Sequence, residues 1–224
     1  NQLTSLPQSF YDLTNLTRLT LAVNRLSHLD IAFKHLKKLL HVSLDTNYFS
    51  TLPEVFDAMK SLYYLDLSFN KLQSLPESLS TIEELETLIL EGNLLRNLPS
   101  LESHDMLIKL NLNSNHLSNI DFNLGALEDL QILSLENNQL KTLPCSLCTL
   151  SKLTSLNVSA NCLESLPECI GNLKNLYELD VEDNALSTLP SSIEKLTKLK
   201  NLFIANNHNL HRPNLPFLEY CDVE

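Results

Sequence analysis

Glycine is nearly absent from this chain, with 3 among 224 residues, and tryptophan is missing altogether. The three glycines, Gly92, Gly125 and Gly171, stand apart, and none builds a loop that could cradle a phosphate. Positive charge is scarce too: 16 Lys and Arg face 27 Asp and Glu, for a formal net charge of −11. A surface that tracks a phosphate backbone needs a basic stripe, so no nucleic-acid partner is expected. No apolar run approaches the roughly 18 residues that a membrane-spanning helix requires, so no membrane partner is expected either. The cysteines, Cys145, Cys148, Cys162, Cys169 and Cys221, are odd in number and cluster at neither end. That usage favours a reducing compartment, and a cytoplasmic location is expected. The chain starts at Asn1, without Met and inside a repeat, as a fragment or trimmed chain would.

Asparagine, by contrast, recurs on a ruler. It stands at Asn1, Asn24, Asn47, Asn70, Asn93, Asn115, Asn138, Asn161, Asn184 and Asn207, eight intervals of 23 residues and one of 22. Leucine or a close substitute precedes each internal Asn at fixed offsets. Residues 62–72 read LYYLDLSFNKL, 130–140 read LQILSLENNQL and 176–186 read LYELDVEDNAL, a frame of LxxLxLxxNxL. Self-similarity at one period along a whole chain predicts a solenoid. The array spans residues 1–207, about nine and a half repeats, and residues 208–224 break the period as an irregular cap.

The alternating LxL stretch predicts a short strand in each repeat, with Leu65 and Leu67, or Leu133 and Leu135, turned inward. One repeat cannot bury its own apolar side, but stacked copies share a continuous core. The Asn side chain carries a donor and an acceptor and can satisfy backbone groups of its own turn and the next. The remainder of many repeats reads LPxx followed by an apolar residue, as in Leu75-Pro76 to Leu79 and Leu189-Pro190 to Ile193. Proline suits the start of a helical turn, so a short helix or 3-10 segment is expected on the opposite wall. Repeats with Leu29-Asp30 or Ile120-Asp121 in place of Leu-Pro, and the stretch from Leu98 to Met106, one residue short, predict local kinks. Residues 218–223, LEYCDV, imitate the strand frame with Cys221 and Val223 in the inward slots and predict a shortened closing strand.

These motifs resemble the leucine-rich-repeat family, specifically its 23-residue LPxx(I/L) type, over residues 1–207. The chain is similar to cytosolic Ras-suppressor-like scaffolds and to bacterial effectors of the Legionella type. The resemblance implies an α/β solenoid, a horseshoe with a parallel concave β-sheet and short helical or 3-10 segments on the convex side. It also implies a non-enzymatic module that binds a folded protein on the concave face.

Aligning the outward strand positions gives two candidate patches. Tyr48, Tyr64 and Phe69 join Ile89 in the N-terminal half, edged by Asp45, Asp66 and Glu91. Glu178, Asp180, Glu182 and Asp183 crowd one repeat beside Phe203. Aromatic side chains on a rigid strand have few rotamers to freeze and anchor partners well. Acidic neighbours steer a partner bearing a basic patch. The chain alone is expected to be monomeric. Two other roles share the same surface: a bacterial effector or effector regulator that occludes a partner, acting in a host cytosol if secreted, and the targeting arm of a longer enzyme. A plain spacer in an assembly is a third reading.

No catalytic residue, cofactor or metal is assigned. Cys145 and Cys148 form a CxxC that Cys169 could approach on the convex side, but a fourth ligand is missing. His208 and His211 sit in the irregular end. Neither HExxH nor a nucleophile elbow occurs, and an open strand face excludes too little water for general acid–base work. The sequons at Asn15 and Asn157 read as incidental.

Overall fold

A computed structural model describes residues 1–208, 210–211 and 213–222. Each repeat contributes one three-residue strand: β1 (Arg18–Thr20), β2 (His41–Ser43), β3 (Tyr64–Asp66), β4 (Thr87–Ile89), β5 (Lys109–Asn111), β6 (Ile132–Ser134), β7 (Ser155–Asn157), β8 (Glu178–Asp180), β9 (Asn201–Phe203) and β10 (Tyr220–Asp222). They form one open, ten-stranded, all-parallel sheet in chain order. The register keeps equivalent residues level, Leu65 against Val42 and Leu88, for example. Backbone bonding continues beyond the strands, since Leu44 N–H donates to Asp66 O and Thr46 N–H to Ser68 O.

The framework leucines make a single core along the array. Leu65, Leu67, Leu88, Leu133, Leu135 and Leu156 are fully buried, joined by Phe33, Phe49 and Phe56. The periodic Asn closes each layer. Asn70 Nδ2 lies 3.1 Å from the carbonyls of Leu67, Ser68 and, one repeat back, Leu44, while its Oδ1 accepts from Phe49 N–H at 3.1 Å. One side chain thus satisfies backbone groups of two repeats that the core would otherwise leave buried and unpaired.

The opposite wall carries 3-10 segments, among them Gln8–Asp12, Glu77–Thr81, Cys145–Thr149, Glu168–Asn172 and Ser191–Lys195. Each of these five follows a proline in extended conformation, whose carbonyl accepts from the N–H three residues on, as in Leu79 to Pro76 at 3.1 Å and Ile170 to Pro167 at 2.9 Å. In two segments that lack this proline a side chain does the capping. Asp30 Oδ1 accepts from Ala32 N–H at 2.8 Å and Asn123 Oδ1 from Gly125 N–H at 3.1 Å. The Ile120-Asp121 repeat therefore starts its turn at Leu124–Ala126, capped by Asn123 rather than by Asp121.

The short stretch between β4 and β5 forms no 3-10 segment among the described residues. A fully buried histidine, His104, fills the gap, with Nδ1 3.1 Å from Leu101 O and Nε2 3.2 Å from Leu79 O. Burial lowers its pKa below the ordinary histidine value. At the C-terminal end Cys221 stands level with Leu202, as the strand frame predicts, and packs partly buried on the core. Val223, expected in the second inward slot, lies outside the described residues.

The cysteine reading needs one revision. Adjacent convex turns stack closely enough to bring Cys148 and Cys169 to a Cα separation of 5.7 Å, and the two form a disulfide. Cys145 and Cys162 remain free and exposed. The anticipated approach of three thiols becomes one bridge with Cys145 beside it, its carbonyl oxygen 3.7 Å from Cys169 Sγ.

Candidate binding face

The outer side of the sheet collects the middle residue of no strand but the first and third of each, because alternate side chains face opposite ways. The burial pattern of β3 to β9 is uniform: a buried residue between two half-exposed ones. That geometry carries Tyr64, Asp66, Ile89, Glu178, Asp180 and Phe203 onto one surface.

The N-terminal candidates do not form a single patch. Tyr64 lies flat on His41 of the neighbouring strand, ring centroids 4.1 Å apart and planes 4° from parallel. Its hydroxyl donates to Asp66 Oδ2 at 3.4 Å. Burial and the nearby Asp66 raise the phenol pKa, and burial together with Arg18 lowers that of His41. Ile89 stands level with Asp66 on β4. Phe69 and Tyr48 sit elsewhere, on the trailing edge where the chain leaves the strands, lining a hollow shared with Val23, Arg25 and Thr46. They are 53% and 49% exposed, more so than Tyr64. Lys71 Nζ stands 4.8 Å from the Tyr48 ring centroid.

The reason for the split is backbone conformation. The residue before each periodic Asn adopts left-handed φ, from Val23 at 55° through Phe69 at 52° to Asp183 at 51° and Asn206 at 55°. This turn swings Phe69 and Asp183 off the sheet. Gly92 is the glycine at that position (φ 67°), and a Cβ there would stand 2.6 Å from the Phe69 ring, which lies across it.

The acidic candidates do converge, with companions that sequence alignment passed over. Burial pushes the Asp180 carboxyl above the ordinary range, and Glu136 and Glu178 add to it. Glu182 is raised by burial, then by Asp180, Asp222 and Asp183. Glu136, two strands from Asp180, thus belongs to the cluster. The signal for it was available: it occupies the same position after β6 that Glu182 occupies after β8. Asp183 turns to the edge, accepting from Asn206 Nδ2 at 2.8 Å. Phe203 is level with Asp180 and tilts against Tyr220, centroids 5.3 Å apart.

Several candidate carboxylates have local duties. Asp66 Oδ1 accepts from Ser68 N–H at 2.9 Å and Ser68 Oγ at 2.6 Å, and Asp180 Oδ1 accepts from Glu182 N–H at 3.1 Å. Asn111 and Asn157 make the same bond to residues 113 and 159. In β3, β5, β7 and β8 the third strand residue, Asp or Asn, therefore pins the strand exit. Glu91 Oε2 accepts from Asn111 Nδ2 at 2.9 Å. Between β4 and β8 the face is mostly polar, with Asn111, Asn113, Ser134 and Asn157 set around Lys109 and Ile132. Four strand spacings, about 19 Å, separate Ile89 on β4 from Asp180 on β8.

Among the described residues the ion pairs are Lys60–Glu83, Lys152–Asp129 and Lys200–Glu219, and none reaches the acidic cluster. No group of His, Cys, Asp and Glu among the described residues is arranged to hold a metal. No described helix is long and apolar enough to cross a membrane.

Family models described as leucine-rich repeat match residues 42–95, 129–150 and 152–173. A leucine-rich-repeat protein of Leptospira interrogans is 30% identical over all of this chain and 70% of its own, with a TM-score of 0.65. This chain belongs to the leucine-rich-repeat family. A TDR receptor is 28% identical over 92% of the chain and 41% of its own, TM-score 0.79. The plant peptide hormone receptor RGFR1, in complex with RGF2, shares the fold at 22% identity over 94% of this chain and 38% of its own, TM-score 0.71. The chain spans about two fifths of those two receptor chains. A search of curated proteins gave no match.

Proposed function

We propose that this leucine-rich-repeat chain is a protein-interaction module whose outer sheet face holds a folded partner carrying a basic patch. Leucine-rich-repeat proteins generally mediate protein–protein interaction, and receptor–ligand complexes occur among the structural neighbours. The observation that carries the reading is the carboxylate cluster of Glu136, Glu178, Asp180 and Glu182. It is half-buried on the sheet, with the carboxyls of Asp180 and Glu182 raised in pKa by burial and then by their acidic neighbours, and it is met by no lysine or arginine of the described chain. A partner's cations would offset that negative charge and set its register. Phe203 beside the cluster and Tyr64 across the mostly polar stretch supply the apolar anchors, and Phe69 with Tyr48 extends the contact to the trailing edge. Residues 1–207 form the binding body in this reading and 208–224 its cap. Scaffold and effector roles are variants of it that differ in partner. The cytoplasmic location rests on cysteine usage alone, and the Cys148–Cys169 bridge weighs against it; trapping thiols in cells before lysis decides it.

The test compares capture of proteins from lysate by the native chain, by a face variant (Tyr64→Ala, Asp180→Lys, Phe203→Ala) and by a wall variant (Glu168→Lys), all checked for fold by circular dichroism. A partner kept by the wall variant and lost by the face variant supports the reading. Partners lost by the wall variant alone would move the site off the sheet. Binding should also weaken as pH falls through the raised carboxyl values of Asp180 and Glu182, because protonation removes the charge that attracts a cation.

A further inference from the structure

Opposite the trailing edge lies the leading edge, where the chain passes from the wall into each strand. Its charge is sorted in blocks. Before β4, β5 and β6 stand Glu83, Glu84, Glu86, Asp105, Glu128 and Asp129. Before β7, β8 and β9 stand Lys152, Lys174, Lys198 and Lys200. All ten are exposed or half-exposed. The boundary between the blocks falls between β6 and β7, where Lys152 pairs with Asp129 inside the chain.

From this arrangement we infer that the leading edge is an interface between two copies of this chain, antiparallel about a two-fold axis between β6 and β7. Strands are evenly spaced and in chain order, so such an axis sets β6 opposite the partner's β7, β5 opposite β8 and β4 opposite β9. Each of the three acidic lead-in segments then meets a basic one: Asp129 faces Lys152, Asp105 faces Lys174, and Glu84 faces Lys198, while Glu83 and Glu128 fall opposite Thr197 and Ser151. The residue immediately before each strand matches as well. Glu86 faces Lys200, Gln131 faces Thr154, and Ile108 faces Tyr177. Charge sorting alone would be a weak argument, since exposed ion pairs contribute little one at a time. Shape supplies the second observation. The basic half holds an open hollow of about 660 Å³ bordered by Lys152, Thr154, Asn175, Tyr177, Glu178 and Lys198. The acidic half offers an exposed methionine, Met106, 45% accessible, at the lead-in of β5. The two-fold operation sets Met106 of one copy over the hollow of the other, and does so twice. Tyr177, 48% accessible, is covered in the same contact. This edge adjoins the outer sheet face at Ser155 and Glu178, which border the same hollow, while Asp180, Glu182 and Phe203 are not among its lining residues. The inference departs from the monomer expected from the sequence.

Sedimentation velocity across a concentration series tests it. The native chain should sediment at twice its 25.4 kDa mass at low salt and dissociate as salt rises. Lys174→Glu with Lys198→Glu should weaken the dimer at least about tenfold, and so should Glu84→Lys with Asp105→Lys. Mixing the two variants should restore dimers, because each reversed block then meets its complement while the unaltered blocks still match. A native chain that stays monomeric at low salt and high concentration would overturn the proposal. So would a dimer indifferent to both pairs of substitutions, which would place the contact at another surface such as an end layer. Loss without rescue on mixing would equally refute this axis.

Discussion

Val23 and Thr46 occupy a backbone conformation that β-branched residues rarely adopt, with φ of 55° and 54°. Left-handed φ crowds Cβ against the backbone and costs an L-residue roughly 1–2 kcal/mol. The fold accepts this because the chain must turn there to carry its Asn into the core ladder. Scarcity of glycine and repetition of a tight turn are thus in tension, and the sequence resolves it with Asn137, Asp183 and Asn206 at some positions and with strain at others. Val23→Gly should raise stability by about 1 kcal/mol, read as a shift in denaturation midpoint, because relief of strain exceeds the added flexibility of the unfolded chain. The same substitution at Phe69 would remove an exposed aromatic as well and so mixes stability with binding. None of this strain is visible in the repeat frame, where these positions look like ordinary outward residues; only the backbone angles set them apart.

At the level of the element, each repeat has to start its wall segment and fill its layer, and several solutions coexist. Proline, Asp30 and Asn123 all begin a 3-10 turn, by extended φ or by a side-chain acceptor. The repeat that lacks the turn is filled by His104, wedged between two carbonyls. Its pKa is lowered from 6.5, chiefly by burial, so the unfolded chain takes up a proton more readily than the folded one. The resulting contribution to stability is full above 6.5 and is lost as pH falls through the lower folded value. Urea titrations of the native chain and His104→Leu at several pH values should show a native curve that falls more steeply below pH 6.5. Equal slopes would mean that His104 does not titrate differently on folding. The shortened spacing made this repeat legible as irregular, but not the role of the histidine: its burial depends on Leu79 of the preceding layer.

For the whole molecule, stability is a sum over layers and the contacts between them. The Asn ladder couples those layers. Asn115 Nδ2 lies 3.0–3.1 Å from the carbonyls of Leu90, Leu112 and Asn113, while Oδ1 accepts from Leu95 N–H at 3.0 Å. Asn115→Ala leaves these buried groups unpaired and should cost about 3 kcal/mol. Circular dichroism during denaturation should still show one transition, displaced as a unit; two transitions would mean that the array breaks into independently folding halves at the central layers.

The period of asparagine and leucine determined the solenoid, the parallel sheet, the inward set and the face on which candidate residues lie, because a fixed repeat length forces equivalent residues into register. It also found the convergent carboxylates around Asp180. What it could not decide depends on how neighbouring repeats touch: the stacking of Tyr64 on His41, the displacement of Phe69 to the trailing edge, the addition of Glu136 to the acidic cluster, and the joining of Cys148 to Cys169. Periodicity states which residues are equivalent along the chain. The tertiary structure alone sets the angle and distance at which non-equivalent residues of adjacent layers meet, and it is at those distances that pKa values, ring contacts and bridges arise.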